Sequence, residues 1–224
     1  MQPPDIHLAG LAAGYHGNRV LHEVTATIPA GKVTALLGPN GSGKSTLLAV
    51  LAGVAPLLAG TITGRDDRRP ALVVQQSAVP ATLPITVRET VAMGRWAHRG
   101  FWRRLTSADR AIVADCMDRL AITDLAHRRL DTLSGGQRQR AVLAQALAQE
   151  STLLLLDEPA TGLDTEAREQ INRAIAEVSA TGVTVVHATH DLDDAMRAHH
   201  CVHLRDGRVT AEGEPRTAML AHSR

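Results

Sequence analysis

The chain reads as an α/β protein with a mainly parallel sheet, an N-terminal antiparallel β subdomain and an inserted α-helical subdomain. Three observations predict this. First, the β-branched and apolar run Val33-Thr34-Ala35-Leu36-Leu37 leads through a glycine-rich turn into the apolar, Gly- and Pro-free run Leu47 to Ala52, which is a strand, a loop and a helix. Second, the continuous apolar runs Thr152 to Leu156 and Val183 to Ala188 alternate with helical segments, as strands buried on both faces do. Third, the stretch from Ser77 to about Gln149 between these strands is helical in pattern. The expected organisation is one domain over 1–224. Residues 1–76 and 150–224 form the core and β subdomain, and 77–149 form the helical subdomain.

A chain of 224 residues is long enough to bury a sizeable core without disulfides or metal. Aromatics are confined to Tyr15, Trp96, Phe101 and Trp102, so Leu, Val, Ile and Ala must build that core. A net charge of +1 gives no electrostatic footprint for nucleic acid, and no nucleic-acid partner is expected. Cys116 and Cys201 are too few for a disulfide framework and sit in predicted regular elements. They read as reduced, buried thiols in a cytosolic setting. The N-terminus carries no basic-then-apolar signal. The longest mostly apolar stretch, Leu47 to Ala59, is broken by Gly53 and Pro56 and too short to span a bilayer. Any membrane role is therefore expected to run through a partner.

In chain order, Ile6 to Ala13 and Val20 to Ile28 are β-rich around the turn Tyr15-His16-Gly17-Asn18. Pro29 to Lys32 is a second turn. Gly60 to Gly64 is a short strand, and Ala71 to Gln75 a buried one ending at Gln76. Val87 to His98 is expected to be one helix. Ser107 is expected to cap the next, whose apolar face is Ile112, Val113, Cys116, Met117 and Leu120. Arg103, Arg104, Arg110, Arg119, Arg128 and Arg129 make this half basic, a solvated arginine-rich surface. Gln137 to Gln149, Thr165 to Ser179, Asp191 to Ala198 and Glu214 to Ala221 are the remaining helices. Val202 to Arg205 and Arg208 to Ala211 flank the turn Asp206-Gly207.

The chemistry concentrates at three places. Gly38-Pro39-Asn40-Gly41-Ser42-Gly43-Lys44-Ser45-Thr46 has the form of a phosphate-binding loop. Its glycines let successive N–H groups turn inward towards phosphate oxygens, and the following helix adds its positive end. Lys44 is placed to reach the β- and γ-phosphates of a nucleoside triphosphate, and the Ser45 hydroxyl to ligate Mg²⁺. The run Leu153 to Leu156 delivers Asp157 and Glu158 at a strand end, where ligands bind in open α/β sheets. Asp157 suits the metal and Glu158 an attacking water. Thr189-His190-Asp191 ends the next strand at the same sheet edge, so His190 joins them. Separately, Ser134-Gly135-Gly136-Gln137 is a serine cap and two glycines ahead of a long helix, a second anion-binding terminus.

The last of these, within Leu133-Ser134-Gly135-Gly136-Gln137-Arg138-Gln139-Arg140, resembles the signature motif of the ATP-binding cassette (ABC) family, and the resemblance extends over nearly the whole chain. It implies a P-loop NTPase core, an ATPase activity, and ATP and Mg²⁺ as ligands. Gln76 falls where the family places the glutamine that senses Mg²⁺ and water; Gln75-Gln76 stands in place of the commoner Pro-Gln. Asp157 and Glu158 correspond to the metal-binding and catalytic carboxylates. Thr161-Gly162-Leu163-Asp164 resembles the loop that crosses the dimer interface, His190 the switch histidine on the γ-phosphate, and Tyr15 the aromatic that stacks on adenine. The resemblance further implies a homodimer sandwiching two ATP, each between one phosphate loop and Ser134 to Gln137 of the other copy.

Pro84 to Arg95 is similar to the segment after the glutamine loop in importers of metal ions and metal chelates. It implies an integral membrane permease as partner, an extracytoplasmic solute-binding protein, and a place on the cytoplasmic face of the membrane. Zinc or manganese import is the expected function. Siderophore or haem import, export, and a non-transport ABC role are the alternatives. His199-His200-Cys201-Val202-His203 offers zinc-type ligands, but Cys201 and His203 alternate along a predicted strand and the first two histidines are expected to end a helix, so a metal site there is not expected.

Overall fold

The computed structural model describes residues 4–15, 17–74, 84–100 and 104–222. Gln75 and Gln76 lie outside them, as does Arg103. The chain divides into two compact units, one of 1–72, 152–158 and 175–224, the other of 73–151 and 159–174.

The first unit holds two sheets. β1 (Ile6–Tyr15), β2 (Asn18–Ile28) and β4 (Leu57–Thr63) form an antiparallel sheet in the order β2-β1-β4. β4 begins at Leu57, earlier than its glycines suggest. The second sheet runs β5-β6-β7-β3-β8-β9, with β3 (Val33–Leu37), β5 (Ala71–Val73), β6 (Leu153–Asp157), β7 (Thr184–Thr189), β8 (His200–Arg205) and β9 (Arg208–Gly213). β3 pairs in parallel with β7 and β8, and β6 with β7; β9 is an antiparallel edge. β3, β6 and β7 are buried along their whole length, which is why they read as continuous apolar runs.

Helix α1 (Lys44–Leu51) is buried on almost every side. Leu47, Leu48 and Leu51 share one core with Leu11, Leu21 and Ile28 of the small sheet and Leu36, Leu155, Val186 and Val202 of the large one. On the opposite face of the large sheet, Ala35, Leu37 and Cys201 pack with Ala195 of α7 (Leu192–Met196) and Ala218 of α8 (Pro215–His222). His187 shares that face in register with Ala35 and Leu156. It is buried, and burial holds its imidazole down at about pH 4 from the usual 6.5. The native state therefore stays neutral here while the unfolded chain takes a proton near pH 6.5. The unfolded state binds more protons, so stability is lost as pH falls from about 6.5 towards 4. Urea unfolding should show His187 alone removing about 2 kcal/mol between pH 7 and pH 5. His187→Val should flatten the slope by that amount; an unchanged slope would show that the ring titrates normally.

The second unit is helical: α2 (Val87–Met93), α3 (Trp96–Arg99), α4 (Ser107–Arg119), α5 (Gly135–Leu147) and the first half of α6 (Thr165–Ala180). Three of these begin with a reciprocal capping box: Thr86 with Glu89, Thr106 with Asp109, and Ser134 with Gln137. The cap of α4 is thus Thr106, not Ser107. Its hydroxyl is bonded by the Asp109 N–H while the Asp109 carboxylate accepts from the Thr106 N–H, and Ser107 is the first helical residue.

The single helix expected over 87–98 is broken at Gly94-Arg95. A Cβ at Gly94 would fall 2.2 Å from the Gln145 carbonyl, so the chain lies directly on α5 and turns there. The turn delivers the buried Arg95 onto the buried Asp109 carboxylate at 3.1 Å, the Ala148 carbonyl at 2.8 Å and the exposed Glu150 carboxylate at 2.7 Å. Most of the arginine-rich surface is locally satisfied: Arg119 pairs with Asp115, Arg129 with Asp131, and Arg110 and Arg128 donate to nearby carbonyls.

Candidate functional site

The parallel strands of the first unit end at one sheet edge, and their ends carry the reactive groups. β3 runs into the phosphate loop, β6 into Asp157 and Glu158, and β7 into His190. The loop's form depends on two glycines. Gly43, the residue before α1, sits at φ +102, a left-handed conformation that disfavours a side chain. At Gly38 a Cβ would lie 2.2 Å from the Leu204 carbonyl of β8, so the loop rests on the neighbouring strand. The Ser42 N–H closes the turn onto Pro39 O at 3.2 Å. The helix starts at Lys44, inside the motif rather than after it, which leaves its first N–H groups facing the loop's hollow.

Lys44 is buried and folds back over the loop, its Nζ donating to Gly38 O at 2.8 Å and Pro39 O at 3.1 Å. The same Nζ lies 3.9 Å from Glu158 Oε1. Burial lowers the lysine's pKa, while Glu158 and then Asp157 act to raise it. Asp157 shows the converse: burial raises its pKa, a hydrogen bond with the Ser45 side chain opposes that, Glu158 adds to the rise, and Lys44 counters it. Two carboxyl groups and one lysine amine thus share a partly dry space. Glu158 is held in an unusual backbone state, φ +49, with its N–H donated to Ala188 O of β7 at 3.1 Å. Its Oε1 also meets His190 Nδ1 at 3.3 Å. The His190 ring is half exposed and so can meet a ligand.

Lys44, Ser45, Asp157, Glu158 and His190 are therefore one constellation. The other predicted residues lie elsewhere. Tyr15 is at the end of β1, opposite Asn18 in the β1–β2 hairpin, and is 45% exposed. Ser134 to Gln137 belong to the second unit, where Ser134 and Gly135 are exposed at the start of α5. Gly136 packs closely: a Cβ there would stand 3.2 Å from that of Ala167. Asp164 is exposed and caps α6, accepting from the Ala167 N–H at 2.8 Å. Gln76 lies outside the described residues.

The histidine group near Cys201 is arranged differently from the expectation. α7 ends at Met196, so His199 follows it in the loop and His200 opens β8. His199 Nδ1 accepts from the Val33 N–H, His200 meets Glu212, His203 meets Thr210, and Cys201 is buried in the apolar core. Among the described residues no group of three or more His, Cys, Asp and Glu is placed to hold a metal ion. Among them, too, no helix is long and apolar enough to cross a membrane.

Similarity to known proteins agrees with this geometry. The family profile described as "ABC transporter" matches residues 21–161. The ferric enterobactin transport ATP-binding protein FepC of Escherichia coli is 38% identical over 94% of this chain and 82% of its own length. The zinc import ATP-binding protein ZnuC of Ruegeria pomeroyi is 36% identical over 96% of this chain and 80% of its own. Among solved structures, the dimeric bacterial ABC transporter cassette MJ0796 superposes with a TM-score of 0.80 at 27% identity, covering 94% of this chain and 98% of that one. With the strand-end carboxylates, the lysine-bearing loop and the capped Ser-Gly-Gly helix all in place, the chain belongs to the ABC transporter family, as an ATP-hydrolysing cassette.

Proposed function

We propose that this ATPase powers import of a metal ion, zinc or manganese, through a separate membrane permease. The observation that carries the site is the convergence of Lys44, Asp157, Glu158 and His190 at the ends of adjacent parallel strands. In this reading Gly38 to Thr46 wrap the triphosphate. Lys44 leaves the loop carbonyls for the β- and γ-phosphates, and Tyr15 stacks on the base. Ser45 and Asp157 are both oxygen donors already within hydrogen-bonding reach of each other, which suits a hard divalent cation. Mg²⁺ held there, with Gln76 alongside, would offset the buried negative charge and neutralise the phosphates.

Glu158 then orients and polarises a water in line with the γ-phosphorus. The new P–O bond forms as the bond to the β–γ bridging oxygen breaks, and the charge is received by Lys44 and His190. The cage is completed by Ser134, Gly135, Gly136 and Gln137 of the partner subunit, with Asp164 at the interface. The protein thus works as a homodimer whose closure requires ATP. It sits on the cytoplasmic face of the membrane through the permease, with a solute-binding protein supplying cargo.

Likeness to the zinc import protein supports the zinc reading, as does the segment Pro84 to Arg95. Likeness to the ferric enterobactin protein favours a second reading, a ferric siderophore as cargo. Uptake by cells decides between them. Deleting the gene should lower radiolabelled zinc or manganese uptake by tenfold or more, with restoration by the intact chain. A loss confined to ferric siderophore would replace the first reading by the second.

A further inference from the structure

We infer that Gly207, in the β8–β9 turn, is a positioning residue for nucleotide binding: it hooks the phosphate loop to strand β2. This rests on the reading that Gly38 to Thr46 hold the phosphates. The turn is read from sequence only as a hairpin connection, yet its glycine makes two bonds outside the hairpin. The Gly207 N–H donates to Ser42 O at 3.1 Å, inside the phosphate loop. The Gly207 carbonyl accepts from the His22 N–H of β2 at 2.8 Å. One peptide segment thus bridges residues from two distant parts of the chain.

No other residue fits there. Gly207 sits at φ +71, and a Cβ would lie 1.9 Å from Val20 O and 2.9 Å from His22 Cδ2. The first obstacle is backbone, which cannot swing aside as a side chain can. The surrounding contacts are equally close: the Cβ position of Gly43 is 2.7 Å from Leu21 Cδ2 and 3.7 Å from the Gly207 Cα. β2 and the turn therefore form a seat under the middle of the loop. An added methyl at Gly207 must push the turn off β2, the loop off the turn, or both. Either shift re-aims Ser42 and the N–H groups beside it, the ones that meet phosphate oxygens. β2 also pairs, at Asn18, with Tyr15, so the same hook sets the phosphate end of the site against the strand that carries the aromatic.

The test compares Gly207→Ala with Gly182→Ala. Gly182 is also left-handed, at φ +92, but a Cβ there meets nothing within 4 Å. Both variants pay the backbone strain; only the first disturbs the seat. ATP and ADP binding and the ATP dependence of hydrolysis are measured on the folded full chain. Gly207→Ala should raise KM and the ADP Kd at least tenfold, with Gly182→Ala unchanged in both. A purely structural glycine would lower the active fraction, and so the apparent kcat, at unchanged KM and Kd; that result overturns the inference. If Gly207→Ala does not fold, hydrogen exchange on the wild-type chain decides. The Gly207 and His22 amides should slow on ADP binding while the Gly182 amide does not, and no slowing overturns it. If the wild type fails to bind nucleotide, or Lys44→Ala binds it normally, the fault lies in the site assignment rather than in the hook.

Discussion

Glu158→Gln should bind ATP at least as tightly as the wild type, dimerise on it, and hydrolyse it some 10²–10⁴-fold more slowly. The carboxamide keeps the size of the side chain but can no longer take a proton from water. The retained binding follows from charge. Lys44 Nζ is 3.9 Å from Glu158 Oε1 and is shared between Glu158 and the loop carbonyls. Removing one carboxylate leaves the ammonium freer to answer an incoming phosphate and removes an anion from beside it. Single-turnover hydrolysis, with dimer formation followed by gel filtration in ATP, reads both halves. Turnover within threefold of wild type would take Glu158 out of its role. Loss of ATP binding would show that its main task is to hold Lys44.

Arg95→Ala should be the most destabilising single change in the helical unit, by about 3–5 kcal/mol. The guanidinium is almost wholly enclosed and bridges the turn after α2, the first turn of α4 through Asp109, and the end of α5 through the Ala148 carbonyl and Glu150. Asp109 is buried and already committed by its other oxygen to the Thr106 cap. Without Arg95 that carboxylate keeps its burial and loses its counter-charge. A lysine cannot substitute, because one ammonium lacks the planar fork that reaches three acceptors in different directions. Urea unfolding of the folded chain measures the loss, and a second change, Asp109→Asn, should recover part of it in the Arg95→Ala background. A loss below about 1 kcal/mol would mean that the cluster is no stronger than an exposed pair.

Much of the site was legible because local chemistry and local structure coincide in it. The loop Gly38 to Thr46 needs glycines and a helix start in one short stretch. Leu153 to Asp157 needs an apolar run with carboxylates at its end. Ser134 and Gln137 form a cap within a single turn. Each is a contiguous pattern; the strand and the Ser134–Gln137 cap form as their patterns imply, while the two helices begin earlier than expected from sequence, at Lys44 and Gly135. What escaped is non-contiguous. In sequence Arg95 reads only as the end of the segment Pro84 to Arg95, since its partners Asp109 and Glu150 are far along the chain and nothing local marks them. Helix α2 reads as continuous through Gly94 because a single glycine in a helical pattern carries no sign of the helix packed on it. The hook at Gly207 joins β2 to the phosphate loop from the far end of the sequence, and only the fold brings them together. Thr106 and Ser107 are both good caps by type; the choice between them fell to the spacing of Asp109.

The strand order also sets a timetable for synthesis. β3, which feeds the phosphate loop, is flanked in the large sheet by β7 and β8. Both are made after the whole helical unit. At typical elongation rates β3 waits on the order of ten seconds for its first neighbour. During that interval Val33-Thr34-Ala35-Leu36-Leu37, with every residue buried in the finished protein, has two open edges and no sheet to join. The nascent chain therefore carries an adhesive, β-prone segment through most of its translation. The nucleotide loop is therefore among the last parts of the molecule to acquire its final support.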